Sequence, residues 1–284
     1  MANITFLGTG LLGSAFAEAA AKRGDTVTVW NRSVQKAEAL KQFGINVATS
    51  AAIAVKGADR VHLVLKDDSV VEEVIASAGP ELSKDTVLID HSTTLPALTA
   101  ARLERLNASG VKYLHCPVFM GPIHARNAQG AMLVAGPKTL FVEVKADLAA
   151  MTGRLEYLGE RSDIAAVNKL MGNAMIIGLT GITADVLTIA QAANVDAEDA
   201  IKLLKSLDLN AMLAGRGSNM AKGNFAASFE LTMARKDVQL MLMAAGERPM
   251  AVLPGIAARM DKLIDQGQGA MDASVIGIDA LKRT

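Results

Sequence analysis

The stretch Ile4–Gly13 reads ITFLGTGLLG, and it decides the fold. Its apolar first half predicts a short β-strand, and Leu11–Lys22 has the spacing of a helix. Gly8 permits a tight turn, Gly10 lets the backbone approach a pyrophosphate, and Gly13 permits close packing of the helix on the strand. A glycine-rich turn without a ligand is the alternative. The flanking strand and helix favour a dinucleotide-binding site.

Strand and helix patterns alternate from this point to about residue 160, which predicts a parallel sheet with helices on both faces. The predicted strands are Ile4–Leu7, Val27–Trp30, Val61–Leu65, Val87–Ile89, Lys112–His115, Met132–Ala135 and Arg154–Tyr157. The predicted helices between them are Leu11–Lys22, Val34–Phe43, Val70–Ala76, Ala97–Leu106 and Leu140–Met151. We therefore expect an α/β Rossmann-type nucleotide-binding domain over residues 1–160.

The remainder, residues 161–284, shows helical patterns only. They lie at Asp163–Ala190, Ala197–Leu204, Phe229–Ala245 and Met250–Gln266. This predicts an all-helical domain built on a long interdomain helix of roughly 40 Å. Within that helix the apolar run Leu170–Ala184 is shorter than the about 18–20 residues of a membrane span, so we expect a buried core helix.

Composition narrows the function classes. Lys and Arg number 29 and Asp and Glu number 29, so the formal charge of zero gives no broad footprint for nucleic acid or an anionic membrane. The single cysteine, Cys116, excludes an internal disulfide framework and fits a reducing cytoplasm. The apolar start has no basic region typical of a signal peptide, and the four histidines show no zinc-ligand spacing.

The end of the second predicted strand reads Trp30-Asn31-Arg32-Ser33. The carboxylate that binds the adenosine 2′-hydroxyl in NAD-dependent proteins is missing there. Arg32 can stack on adenine and pair with a 2′-phosphate, and Ser33 can add a hydrogen bond. The alternative is an ordinary solvated arginine. The sequence therefore favours NADP over NAD, and NADPH over NADH.

Two lysines are candidates for chemistry. Lys169 and Asn173 stand four residues apart, so both project from one face of the long helix. Apolar neighbours can lower the pKa of a lysine, which suits proton transfer near neutral pH. The alternative is a structural lysine that extends to the surface. The pair Lys236-Asp237 lies on a later helix and is a surface pair when taken alone.

Together these motifs resemble the β-hydroxyacid dehydrogenase family, which includes 3-hydroxyisobutyrate dehydrogenase, tartronate semialdehyde reductase and the short glyoxylate/succinic semialdehyde reductases. The resemblance covers essentially the whole chain. It rests on the Gly8–Gly13 fingerprint with Asn31-Arg32-Ser33, Asp90-His91-Ser92-Thr93, Pro117-Val118, Lys169-x-x-x-Asn173, and Phe229 with Lys236-Asp237.

The resemblance implies a Rossmann-like domain, a helical domain similar to the C-terminal part of 6-phosphogluconate dehydrogenase, and an active site between them. It also implies a homodimer or tetramer that packs through the helical domains. Lys169 would donate a proton to the carbonyl oxygen as hydride arrives, and Asn173 would hold the substrate. Lys236 would line the cleft, and Ser92 or Thr93 would lie near the nicotinamide.

The predicted site residues fall into two sets. Those assigned to the cofactor are Gly8, Thr9, Gly10, Leu11, Leu12, Gly13, Asn31, Arg32, Ser33, Leu65, Lys66, Ser92, Thr93, Phe229 and Lys236. Those assigned to the substrate are Ser92, Pro117, Val118, Phe119, Met120, Gly121, Lys169, Asn173 and Lys236. No metal ligand is assigned.

One segment departs from the family. Its substrate loop usually reads Asp-Ala-Pro-Val-Ser-Gly-Gly, whereas His115–Pro122 reads HCPVFMGP. Phe119 and Met120 make this loop bulkier and more apolar, which disfavours a small acid such as glyoxylate and favours a more hydrophobic carbonyl or imine. Two alternatives stay open: an imine reductase, against which Lys169 argues, and a non-catalytic NADP-binding protein.

Overall fold

The computed structural model describes residues 2–281, and its first half contains a six-stranded parallel sheet. The strands are β1 (Asn3–Leu7), β2 (Thr26–Trp30), β3 (Asn46–Val47), β4 (Arg60–Leu63), β5 (Val87–Asp90) and β6 (Lys112–His115). Their order across the sheet is β3-β2-β1-β4-β5-β6. The order reverses between β1 and β4, and ligands of such sheets bind beyond the carboxyl ends of the strands at that point. The predicted Rossmann-type fold is confirmed.

Both faces of this sheet are buried, because successive residues of a strand point to opposite sides. Phe6 and Ile89 belong to one apolar cluster, and Leu7 and Leu88 belong to the other. The first cluster is covered by α1 (Leu11–Lys22), α2 (Val34–Glu38), α6 (Pro122–Arg126) and α7 (Lys138–Ala149). The second is covered by α3 (Ala51–Val55), α4 (Asp68–Ala78) and α5 (Pro96–Ala108).

A second, smaller sheet follows. It consists of β7 (Val118–Phe119), β8 (Ala131–Val134) and β9 (Arg154–Tyr157), with β7 antiparallel and β9 parallel to the central β8. The sequence predicted β8 and β9 as strands, but it did not predict that they form a separate sheet. The strand β7 was not predicted, because a strand of two residues shows no alternation of apolar and polar side chains.

The second half of the chain is helical, as predicted. Its helices are α8 (Ile164–Ala192), α9 (Ala197–Ser206), α10 (Leu209–Met212), α11 (Ser218–Ala221), α12 (Leu231–Ala245) and α13 (Leu253–Leu263). The chain forms two compact units, which divide inside α8 between Asn173 and Ala174. The predicted domain boundary at residue 160 precedes this helix.

Two buried carboxylates organise the second unit. Asp185 of α8 accepts hydrogen bonds from the backbone N–H groups of Ala251, Val252 and Leu253, at 2.5, 2.9 and 2.8 Å, and so caps the start of α13. Burial alone would raise the pKa of Asp185, but these donors lower it below its ordinary value. In the same way Asp272 accepts from the N–H groups of Ser228, Phe229 and Ser274.

The expectation that α8 is a buried core helix is wrong. Side chains in its middle are exposed, Ile177 by 69% and Met175 by 58%. An 18-residue window of α8 has a mean hydropathy of 1.5, and only 11% of it is buried. By length and composition α8 is therefore a candidate membrane span, although one such helix is weak support for a membrane protein. Hydropathy reports how apolar a helix is, not whether another element covers it.

Candidate active site

Two of the three fingerprint glycines are required by close contacts, and the third leaves open space. Gly8 has a φ of +105°, and a Cβ there would collide with the backbone oxygen of Val64. A Cβ on Gly13 would collide with the backbone oxygen of Gly8. A Cβ on Gly10 would meet no protein atom within 4 Å. Gly10 thus keeps a stretch of backbone bare toward solvent, as a phosphate site requires.

The N-terminus of α1 has the features of an anion site. Gly10 is its N-cap and supplies no side-chain acceptor, so the first N–H groups of the helix are left for a ligand. The Thr9 hydroxyl is buried and has no hydrogen-bond partner in the described part of the chain. The free N–H groups and the helix dipole fit a bound pyrophosphate.

A cavity of about 500 Å³ opens at this edge of the sheet. Most of the predicted cofactor residues line it: Gly8, Gly10, Leu11, Leu12, Gly13, Asn31, Arg32, Ser33, Leu65, Lys66, Ser92 and Thr93. Thr9, which was also predicted, is buried and is not among the residues that line the cavity. Phe229 and Lys236 belong to the second unit, where Phe229 packs on the apolar core and Lys236 pairs with Asp237 at 2.9 Å. The cavity volume suits a nucleotide.

Several residues that line the cavity were not predicted: Trp30, Lys36, Val64, Val70, Glu73, Val74 and His91. Most are apolar positions that a sequence motif does not mark. Lys36 had a recognisable signal, because it stands four residues after Arg32 at the start of α2 and adds a second cation to the same end of the cavity.

The turn after β2 is held by Asn31. Its side-chain oxygen accepts a hydrogen bond from the Thr9 N–H at 3.0 Å, and its amide donates to the Ser33 oxygen at 3.0 Å. This arrangement leaves Arg32 and Ser33 exposed at the cavity wall. A phosphate bound there would meet the guanidinium and the hydroxyl together.

Buried charged side chains hold the segment that follows β5 in place. Asp90 is fully buried, accepts from the Ser92 N–H at 2.9 Å and accepts from the Tyr113 hydroxyl at 2.8 Å. The guanidinium of Arg102, also buried, lies 3.6 Å from Asp90 and donates to Asp68 at 2.7 Å. Through the Ser92 N–H, this buried ion pair holds in place the segment that carries Ser92 and Thr93.

Ser92 and Thr93 have different surroundings. The Ser92 hydroxyl accepts a hydrogen bond from the Leu65 N–H at 3.0 Å, so it ties two cavity-lining segments together. Thr93 is exposed, and its hydroxyl has no partner among residues 2–281. Thr93 is therefore the better placed of the two to meet a ligand directly.

A pair of buried histidines connects the cavity to the loop after β6. His91 Nδ1 lies 2.7 Å from the Cys116 oxygen and must carry the proton, so His91 Nε2 accepts from His62 Nδ1 at 2.9 Å. Burial lowers the pKa of His91 to about 4, although the bond to Cys116 raises it. Burial also raises the pKa of the Cys116 thiol well above its ordinary value, as expected for a small buried hydrophobe.

Lys169 lies at the far end of this loop. Its ammonium donates to the Val118 oxygen at 2.7 Å and to Asn173 Oδ1 at 2.9 Å, and it stands 4.2 Å from the centre of the Phe119 ring. Only 9% of Lys169 is exposed. Burial lowers its pKa from the ordinary value. Lys169 is therefore a held, desolvated ammonium and not a lysine that extends into solvent.

The bond to Lys169 also fixes the orientation of the Asn173 amide. A lysine ammonium can only donate, so the Asn173 oxygen must face it. The Asn173 NH₂ group then points away, and it has no partner within the described residues. Asn173 is thus able to donate to a ligand oxygen beside the lysine.

The loop that carries Val118 is itself anchored. Pro117 accepts from the Leu133 N–H at 2.9 Å, and Phe119 pairs with Ala131 across the small sheet. Gly130 has a positive φ of +84°, and a Cβ there would lie 2.7 Å from the Cβ of Met120. Arg126, which could contact a substrate anion, instead forms a two-point ion pair with Glu18 at 2.7 and 3.0 Å.

Within residues 2–281, no group of three or more His, Cys, Asp or Glu side chains is placed to hold a metal ion.

Known proteins resemble this chain over its whole length. Residues 3–159 match the family described as the NAD binding domain of 6-phosphogluconate dehydrogenase. The chain is 29% identical to glyoxylate/succinic semialdehyde reductase 1 of Arabidopsis thaliana, over 98% of both proteins. These matches agree with the resemblance noted from the sequence motifs.

Two further similarities are informative. The cytokine-like nuclear factor N-PAC of Xenopus tropicalis is 25% identical over 95% of this chain, which spans about half of that relative (52%). The imine reductase of Myxococcus stipitatus in complex with NADP⁺ superposes with a TM-score of 0.87 at 23% identity, and covers 99% of this chain and 100% of that one. At this identity the structural match shows the shared fold alone.

Proposed function

Since the chain belongs to the family of the NAD binding domain of 6-phosphogluconate dehydrogenase, and within it to the β-hydroxyacid dehydrogenases, we propose that it is an NADPH-dependent carbonyl reductase in which Lys169 supplies the proton. Family membership makes it an oxidoreductase that binds a nicotinamide cofactor. The proposal adds the choice of NADPH, the carbonyl group of the substrate and the residues that act.

NADPH is favoured by the charge at the end of β2. Arg32 and Lys36 line the same end of the cavity as Ser33, and the acid that would bind a free 2′-hydroxyl is missing. The N–H groups at the start of α1 would hold the pyrophosphate. The chemistry that the cofactor supplies when bound is hydride transfer to the substrate carbon.

The lysine completes the reduction. As the carbonyl carbon gains a hydride, its oxygen gains the electron pair of the C=O bond and takes a proton from the Lys169 ammonium. The neutral amine then regains a proton from solvent. Burial makes the ammonium a stronger acid, and Asn173 would hold the same oxygen through its unpartnered NH₂ group.

The observation that carries the proposal is the burial of the Lys169 ammonium against two fixed acceptors. A lysine with a purely structural role usually extends its ammonium into solvent or pairs it with a carboxylate. The test is NADPH oxidation by the wild-type protein and by Lys169→Ala, against small semialdehydes, apolar aldehydes and cyclic imines. Lys145→Ala, on the exposed side of α7, is the matched control.

Imine reduction is the second candidate. The apolar pair Phe119 and Met120 replaces the small residues expected in the substrate loop, which favours a substrate without a carboxylate. Turnover of cyclic imines without turnover of any aldehyde would select this function. NADPH binding without turnover across the panel would instead favour a binding protein.

We also propose that the protein is a cytoplasmic homo-oligomer that covers α8. The exposed apolar side chains on this helix include Met175, Ile176, Ile177 and Leu179. The hydroxyls of Thr180 and Thr183 are bonded to backbone oxygens of the helix itself, so that they add methyl groups to the same surface. Light scattering without detergent tests the proposal: wild type should be an oligomer, and Ile177→Glu should shift it toward the monomer.

A further inference from the structure

The Lys169 ammonium offers no accessible N–H group to a substrate in the conformation described. It carries three N–H groups, of which two are given to Val118 and Asn173, while the Phe119 ring covers the remaining side at 4.2 Å. The ring is close enough for a cation–π interaction. A proton donor must come within about 3 Å of the oxygen that it protonates, and the ring occupies that approach.

The ring rests on a glycine of the same helix. Gly172 lies three residues after Lys169 and so faces the same side of α8. A Cβ on Gly172 would collide with Phe119 Cζ and lie 2.6 Å from Cε1. A glycine inside a helix is less favourable than alanine, and here it provides the space in which the ring lies.

The backbone that carries the ring is anchored on both sides. The backbone of Phe119 is paired with Ala131 in the small sheet, and the next residue back, Val118, accepts the lysine hydrogen bond. The Phe119 residue is only partly buried, so neighbouring residues do not enclose it completely. Rotation about the side-chain bonds needs no change in the loop.

We propose that Phe119 is a specificity-determining cover of Lys169, which lies on Gly172 in the free protein and is displaced by the substrate. Displacement gives up the contact between the ring and the ammonium, so the substrate must replace it. A carbonyl compound with an apolar or aromatic group beside the carbonyl can do so by packing on the displaced ring. A small carboxylate gains no such contact, and Arg126 is held by Glu18.

This inference rests on the proposed role of Lys169, but it can be tested apart from activity. The readout is the modification rate of Lys169 by an amine reagent, acetic anhydride, followed by mass spectrometry and extrapolated to high pH. Lys145 in the same protein is the internal reference. At high pH every amine is deprotonated, so the limiting rate reports access to Nζ and not its pKa.

Three variants define the experiment. Gly172→Ala removes the space for the ring while it improves helix propensity, and Phe119→Ala removes the ring itself. Gly255→Ala on α13 is the control, because a Cβ there meets nothing within 4 Å. Thermal unfolding of each variant establishes that it is folded before the rates are compared.

We expect Gly172→Ala and Phe119→Ala each to raise the limiting modification rate of Lys169 at least tenfold, with no change in Gly255→Ala. Phe119→Ala should also reduce the preference in kcat/KM for aromatic over small acidic aldehydes. If the limiting modification rate of Lys169 is unchanged in both variants, Phe119 does not cover the lysine, and this conclusion does not depend on the enzymatic activity. Full turnover by Lys169→Ala would instead overturn the proposed function, and the modification rates would still decide whether Phe119 covers the lysine.

Discussion

The Lys169 ammonium and the Val118 backbone oxygen are joined by a hydrogen bond of 2.7 Å between residues that lie 51 positions apart. This bond ties α8 to the loop that the family uses for its substrate. Two residues earlier in that loop, Cys116 accepts from His91, which lines the nucleotide cavity. A short series of contacts thus leads from the proposed cofactor site to the proposed proton donor.

Arg32 should decide the cofactor preference. Substitution Arg32→Ala removes the guanidinium from the cavity wall, and the loss of charge-assisted hydrogen bonds to the 2′-phosphate should weaken NADPH binding by about 10–100-fold. NADH binding should change little, which makes it the internal control. Fluorescence titration with both cofactors measures the effect, and an equal loss for NADH and NADPH would contradict the assignment.

Gly10 and Gly13 should separate binding from folding. Gly10→Ala adds a Cβ in open space, so the protein should keep its Tm but lose most of its affinity for NADPH. Gly13→Ala places a Cβ against the Gly8 oxygen, so it should lower the Tm as well. Calorimetry and a binding titration on each variant provide the comparison. A Gly10→Ala protein with wild-type affinity would argue against phosphate binding at this turn.

Substitution of Arg102 should strongly lower the free energy of unfolding of the first unit. Arg102→Met leaves Asp90 buried without its cation, and removal of one partner of a buried ion pair costs about 3–5 kcal/mol. Urea unfolding measures the loss. Glu72 pairs with both Arg102 and the exposed Arg105. Arg105→Met is therefore the matched control and should cost less than about 1 kcal/mol. Similar losses in the two variants would contradict the importance of burial.

Acid should destabilise the protein before its carboxylates titrate. His91 has a pKa of about 4 in the folded chain against an ordinary 6.5, so between these values the unfolded state binds more protons. Above pH 6.5 the imidazole is neutral in both states and the free energy of unfolding is unaffected by it. As the pH falls from 6.5 toward 4, protonation of His91 in the unfolded state lowers the free energy of unfolding by about 3 kcal/mol. Burial lowers the pKa of His62 and His115 as well, which adds to the effect.

Unfolding in urea from pH 7.5 to 4.5 tests this dependence. The free energy of unfolding should fall steadily below pH 6.5, and His91→Asn should show a shallower slope. His124→Asn, which changes an exposed histidine on α6, should retain the wild-type slope. A free energy that is flat down to pH 5 would show that the buried histidines do not control acid stability.

Much of the fold was predictable, because long elements carry their own periodicity. The bounds of α1 were predicted as the structure has them, and those of β6 and β9 were as well. Several other short elements were missed, among them the two-residue strands β3 and β7 and the five-residue helices α3 and α6. A strand of two residues shows no alternation and a helix of five residues makes little more than one turn, so tertiary contacts decide their states.

The site was predictable to the extent that it depends on local spacing. Both motifs are local in the sequence: the three glycines line the cavity, and Lys169 lies 2.9 Å from Asn173 as their four-residue spacing indicates. The cause of the lysine's burial was not predictable. The sequence attributed it to apolar neighbours on α8, but Leu170, Met171 and Met175 are exposed.

Burial comes instead from residues distant in the chain. The Phe119 ring covers the ammonium and the Val118 oxygen accepts its hydrogen bond, and both residues belong to β7, which pairs with β8. A motif within one helix carries no information about contacts with residues that are distant in the sequence. The same holds for Arg126, whose partner Glu18 lies 108 positions away.

The most direct test of the account is NADPH oxidation by Lys169→Ala beside the wild-type protein, with NADPH affinity measured on both. The account predicts that kcat falls by about 10²–10⁴-fold on the best carbonyl substrate while the Kd for NADPH stays within about twofold. An equal loss of turnover and affinity, or turnover that does not need the lysine, would contradict it.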